Sequence, residues 1–108
     1  MFRVANDIII DSVDVSADER SEILDISNVY GMSIQAVTTG TISAVAKIEV
    51  SNDKENWVEL SSPTITISNV TNDAVQAPEM FYKWARIFID VTSGTTNTVK
   101  VYFTSKGI

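Results

Sequence analysis

Over long stretches of this chain apolar and polar residues alternate with period two, and no other feature constrains its fold as tightly. Tyr30, Met32, Ile34 and Ala36 fall on one side of an extended backbone, and Gly31, Ser33 and Gln35 on the other. Beyond Thr38-Thr39-Gly40-Thr41 the pattern resumes, with Ala44, Ala46, Ile48 and Val50 facing one way and Lys47 and Glu49 the other. The pattern predicts a hairpin turning near Gly40, with Ala36 opposite Ala44, Ile34 opposite Ala46, Met32 opposite Ile48 and Tyr30 opposite Val50. A slip by one residue would mix the two faces.

The C-terminal third reads the same way. Strands over 84–91 and 99–105 flank the turn-rich segment Ser93-Gly94-Thr95-Thr96-Asn97. A second hairpin is predicted there, setting Val91 beside Val99, Ile89 beside Val101 and Ile87 beside Phe103, with Asp90 opposite Lys100. Shorter strands are expected at 8–15, 22–26, 57–60, 64–67 and 74–77, separated by Asn, Asp, Ser and Pro clusters. No apolar stripe at helical spacing exceeds a turn or two, although Ser16-Ala17-Asp18-Glu19 matches a capping box and is expected to open one short helical turn. The expected fold is all-β: an antiparallel β-sandwich, jelly-roll-like, of about eight strands, in a single domain spanning 1–108.

The side-chain inventory narrows the chemistry. The 108 residues include no Cys and no His, which removes disulfides, thiol nucleophiles, Ser-His-Asp and Cys-His arrangements, and the usual zinc sites. A formal charge of −6 repels nucleic-acid backbones and anionic membranes, so neither is an expected partner. The N-terminus lacks a basic region followed by an apolar run, and no 18-residue apolar stretch occurs, so the expectation is cytoplasmic synthesis without signal peptide, anchor or transmembrane segment. The acid pairs Asp11/Asp14, Glu22/Asp25 and Asp53/Glu55 are read as solvated strand ends and turns, not as a glycosidase dyad. No enzyme, cofactor or metal is expected. The loop Ser51-Asn52-Asp53-Lys54-Glu55-Asn56-Trp57 offers a hard cation the oxygens of Asn52, Asp53, Glu55 and Asn56, but Asn and Asp serve equally to close tight turns, which is the preferred reading. Asn69-Val70-Thr71 matches a glycosylation sequon and is read as a turn.

Tyr82, Trp84, Arg86 and Phe88 alternate along one strand, and the predicted hairpin sets Tyr102 opposite Phe88. A solvated sheet face carries Thr, Lys, Glu and Ser, whereas aromatics and Arg mark binding surfaces. This face therefore calls for a cover. Three are open: the chain's own Ile8-Ile9-Ile10 segment, another subunit, or a glycan stacked on the rings.

The run Lys47 to Trp57, with its Ser-Asn-Asp turn and Trp, followed by Phe81-Tyr82-Lys83-Trp84-Ala85-Arg86-Ile87 and a Ser-Gly turn, resembles small bacteriophage virion proteins over residues 30–106. The resemblance implies a non-enzymatic structural protein: a head decoration, head-fibre or tail accessory component located in the virion, contacting other virion proteins and itself as a homo-oligomer. The same order is similar, more loosely, to discoidin-like carbohydrate-binding sandwiches, although Lys54-Glu55 replaces the Gly of their turn and no ligand residue carries over. That likeness implies the alternative, an adhesion module recognising surface glycans through Trp84, Tyr82, Tyr102 or Trp57.

Overall fold

The computed structural model describes residues 3–78 and 81–107, which form eight strands: β1 Arg3–Val13, β2 Glu19–Arg20, β3 Leu24–Asp25, β4 Val29–Ser51, β5 Val58–Glu59, β6 Ile65–Ser68, β7 Thr71–Pro78 and β8 Trp84–Gly107. Every pairing is antiparallel. The two long strands organise the rest. β4 and β8 pair along their whole length, from Val29 opposite Gly107 to Ser51 opposite Trp84, with irregularities at Gly40/Ile42 and Ser43/Ala44. β1 flanks the C-terminal half of β8, and β7 flanks the N-terminal half of β4, giving sheet I in the order β1-β8-β4-β7. β2 and β3 flank the other half of β8, while β5 and β6 flank the other half of β4, giving sheet II.

Burial shows how the halves sit. Met32, Ile34, Ala36, Ile42, Ala44, Ala46, Ile48 and Val50 of β4 are buried, as are Ala85, Ile87, Ile89, Val99, Val101 and Phe103 of β8, and all belong to one core cluster. The same phase is therefore buried above and below the irregularity. A ribbon with one face buried throughout covers that face by folding over on itself, so the two sheets form a sandwich.

Four segments cross between the sheets at one level: residues 13–19, 38–42, 68–71 and 93–97. Two glycines permit the close approach. Gly40 has φ +82°, and a Cβ there would lie 2.1 Å from the Thr96 carbonyl oxygen; one on Gly94 would lie 2.0 Å from that of Val15. Two asparagines tie the crossings together. The Val15 N–H donates to Asn97 Oδ1 (2.9 Å), and Asn97 Nδ2 donates to the carbonyls of Val15 (2.9 Å) and Thr41 (3.1 Å). Asn69, in the left-handed region at φ 57°, donates its N–H to the Ile42 carbonyl and accepts the Ile42 N–H at Oδ1 (3.2 Å). The sequon thus lies in the turn between β6 and β7.

The architecture, the strand count and the buried phase agree with expectation, and both hairpins do not. Ala36 pairs with Val101 and Asp73 rather than with Ala44. Asp90 lies opposite Val45, and Lys100 opposite Val37 and Asp11. The segments at Gly40 and at 93–97 are bends in continuous strands, not chain reversals. Alternation passes through both bends in phase, so it fixes the buried face but leaves the partner open. The short helical turn at 16–19 is also absent: Glu19 opens β2, and Asp18 Oδ1 accepts the Val91 N–H (2.8 Å), an edge-strand role in place of a cap. The Tyr30 side chain lies outside the described residues.

Candidate functional site

Trp84, Arg86 and Phe88 occupy the phase of β8 that points away from the core, so they share the outer face of sheet II. Direct pairing with β4 brings Lys47 beside Phe88, Glu49 beside Arg86 and Ser51 beside Trp84, while β2 sets Arg20 beside Phe88. Trp57 and Lys54 reach the face from the loop that follows β4.

Glu49 is the centre of this face. Only 8% exposed, it accepts at a single oxygen, Oε1, from Arg86 Nε (2.7 Å) and Arg20 Nε (3.0 Å). Burial pushes its carboxyl up, but hydrogen bonds from Arg86 and Arg20 outweigh that and hold it below the ordinary carboxylate value. Each arginine also lies over a ring: Arg86 over Trp57 at 4.1 Å from the centroid, and Arg20 over Phe88 at 4.2 Å. Lys54 sits over Trp84 at 4.5 Å. Such contacts contribute about 0.5–1 kcal/mol each at exposed positions and more where desolvated. Lys47 bridges Asp90 (3.1 Å) and Glu59 (3.4 Å), and the Asp90 hydrogen bond raises its pKa. Phe88, Trp57 and Trp84 thus each carry one of the chain's own cations.

The Ile8-Ile9-Ile10 segment does not cover this face. Ile10 is in the core, Ile9 packs partly against it, and Ile8, 45% exposed, lies opposite Tyr102 on sheet I. Tyr102 is likewise removed from Phe88: its partners are Ile8 and Gln35, on the other sheet. Tyr82 precedes β8 and is exposed, next to Phe81 at 83% exposure. Of the five predicted face residues, then, Trp84, Arg86 and Phe88 come together, Tyr82 flanks them, and Tyr102 is elsewhere.

The loop after β4 spends its carboxylate on itself. Asp53 Oδ1 accepts from Ser51 Oγ (2.8 Å) and from the N–H groups of Glu55 (2.9 Å) and Asn56 (2.8 Å), while Oδ2 accepts from Asn56 Nδ2 (2.7 Å). The Asn56 side chain and backbone, then Glu55 and Ser51, hold its pKa far below the ordinary value. Asn52 Oδ1 accepts the Lys83 N–H (3.1 Å), and Lys54 takes the left-handed conformation at φ 67°. These are the bonds of a tight connection. Among the described residues no group of three or more His, Cys, Asp or Glu side chains is placed to hold a metal. A shallow groove of about 400 Å³ lies away from this face, bounded by Gly31, Ser33, Gln76 and Lys106.

Sequence reasoning missed Arg20, Glu49 and the partner of Trp57. The signal was present but conditional: Glu49 and Arg86 face each other only once β4 is paired directly with β8.

Comparison with solved structures places the fold. The SPBc2 prophage-derived protein YomS superposes with a TM-score of 0.65 at 10% identity, over 99% of this chain and 96% of that one. Bacteriophage CBA120 tailspike protein 4, enzymatically active domain, matches with a TM-score of 0.59 at 11% identity over 94% of this chain but 19% of its own. A family 22 carbohydrate-binding module of Clostridium thermocellum Xyn10B gives 0.52 at 11%, over 99% and 84%. At these identities the likeness is one of fold. No curated protein matches the sequence. The family model described as "Domain of unknown function (DUF6385)" matches residues 25–107.

Proposed function

The chain belongs to the DUF6385 family, and we propose that it is a non-enzymatic structural component of a phage particle, such as a head decoration, head-fibre or tail accessory protein, working through protein–protein contacts. The observation that carries this reading is the end-to-end correspondence with a prophage-derived protein of similar size, 99% of one chain over 96% of the other. The outer face of sheet II fits it. Arg and aromatic residues gathered on one sheet face are the composition of protein interfaces.

The glycan-binding alternative uses Trp84, Tyr82, Tyr102 or Trp57 as stacking groups. One face each of Trp57 and Trp84 is occupied by Arg86 and Lys54, which leaves a pyranose less ring surface to stack on at those two residues.

Mass spectrometry of gradient-purified particles, released from a lysogen that encodes the chain, tests the proposal. Recovery at a fixed stoichiometry to the major particle proteins is expected. Its presence in the lysate but absence from the particles would reject the assignment.

A further inference from the structure

The two arginines on the outer face of sheet II are held in an unusual way. Arg–carboxylate pairs commonly engage side by side, with two parallel N–H···O bonds. Here Arg20 and Arg86, on β2 and β8, both donate through Nε alone to Glu49 Oε1. Their terminal Nη groups make no hydrogen bond to any described residue, and those of Arg86 are not buried. Contacts with Phe88 and Trp57 hold each guanidinium against a ring, and the shared oxygen draws the two heads together. A guanidinium already held by a carboxylate and a ring loses less freedom on binding a planar oxyanion than a free one.

We propose that Arg20 and Arg86 form a preorganised carboxylate-binding site whose ligand is an acidic side chain of a protein partner. This rests on the assembly reading above. The groups around the site support it. Arg20, Lys47, Lys54 and Arg86 place four of the chain's eight cations on this face, interleaved with Glu49, Glu59 and Asp90, so the site draws on unfilled donor positions more than on net charge. Lys47 is held by Glu59 and Asp90, whereas the Nη groups of both arginines, like Lys54 Nζ over its ring, are donors with no hydrogen bond to a described residue. A protein partner is favoured over an acidic saccharide because both tryptophans of this face already carry a cation on one ring face, while a carboxylate from a protein surface needs no ring.

The test is an NMR titration of the arginine side-chain N–H signals with a blocked tetraglutamate peptide, with tetraglutamine and digalacturonate as comparison probes. Saturable shifts confined to Arg20 and Arg86 are expected for tetraglutamate and none for tetraglutamine. Arg20→Lys and Arg86→Lys, which keep the charge and lose the fork, should each weaken binding about tenfold. Arg20 is exposed on an edge strand, so its variant keeps the fold even if Arg86→Lys does not. Undiminished binding in Arg20→Lys, shifts spread equally over Lys83, Lys100 and Lys106, or saturation by digalacturonate at lower concentration than the peptide would each overturn the proposal. Peptide binding by a chain absent from particles would sink the assembly reading and leave the site standing; an Arg-independent chain found in particles would do the reverse.

Discussion

Glu49 joins three strands through one oxygen atom, and its removal should be felt as an electrostatic rather than a packing loss. Replacing it by Gln leaves Arg20 and Arg86 beside each other without a shared counter-charge. At neutral pH Glu49→Gln is expected to cost about 1–2 kcal/mol, kept modest because the Arg20 side chain is nearly half exposed. The sign with pH follows from the lowered carboxyl. Stability from a depressed folded-state pKa is present above the unfolded value, near 4.5, and is lost as pH falls through the folded value. Urea unfolding of wild type and Glu49→Gln between pH 7 and pH 3 should therefore show a gap that is constant above about pH 5.5 and closes in acid. A gap independent of pH would mean that the ionised carboxylate contributes nothing. Gly40 makes the second residue-scale case. A methyl group there meets the Thr96 carbonyl at 2.1 Å on a backbone with φ +82°, so Gly40→Ala should lose about 3 kcal/mol or more in the same assay. Neither effect was legible from local sequence. Gly40 invites a turn, and only the strand beside it shows that the requirement is close approach of two backbones.

At the scale of elements, alternation revealed the buried side of β4 and β8 almost residue by residue. Even positions from Met32 to Val50 and odd positions from Ala85 to Ser105 are buried, save Gly40, the half-buried Val91 and the exposed Ser93 and Thr95. Partnership was the illegible part. A strand that bends at a glycine without losing phase has the same apolar–polar pattern as a hairpin with an even register, because both keep the period of two. Charge would have helped had it been applied across the two halves: Glu49 lies opposite Arg86, whereas the Asp90/Lys100 pairing that favoured the hairpin is not formed. The same error moved Tyr102 onto the wrong face and hid Arg20. This separates two pictures of the isolated pieces. Peptides covering 29–51 and 84–107 should each lack cross-strand nuclear Overhauser contacts in water, since neither contains its own partner. A populated hairpin about Gly40 in the first peptide would contradict the pairing described. Asn97, buried at the crossing, shows the complementary limit: its composition suggested a turn, and its bonds to Val15 and Thr41 join segments far apart in the chain.

For the whole molecule, nearly all pairing is long-range: β1 and β4 both lie against β8, and no hairpin of the two long strands provides a local start. Loop-closure entropy must then be met before the main ladder forms, so refolding from urea is expected on the millisecond-to-second scale typical of all-β domains. Stopped-flow fluorescence of Trp57 and Trp84 measures it, and a microsecond phase carrying most of the amplitude would contradict this topology. Arg3 and Val29 both lie opposite Gly107, so the first and last strands start and finish together at one end of sheet I. A host chain could therefore enter and leave this sandwich through neighbouring points, carrying it as a cassette within a surface loop without drawing its own backbone apart.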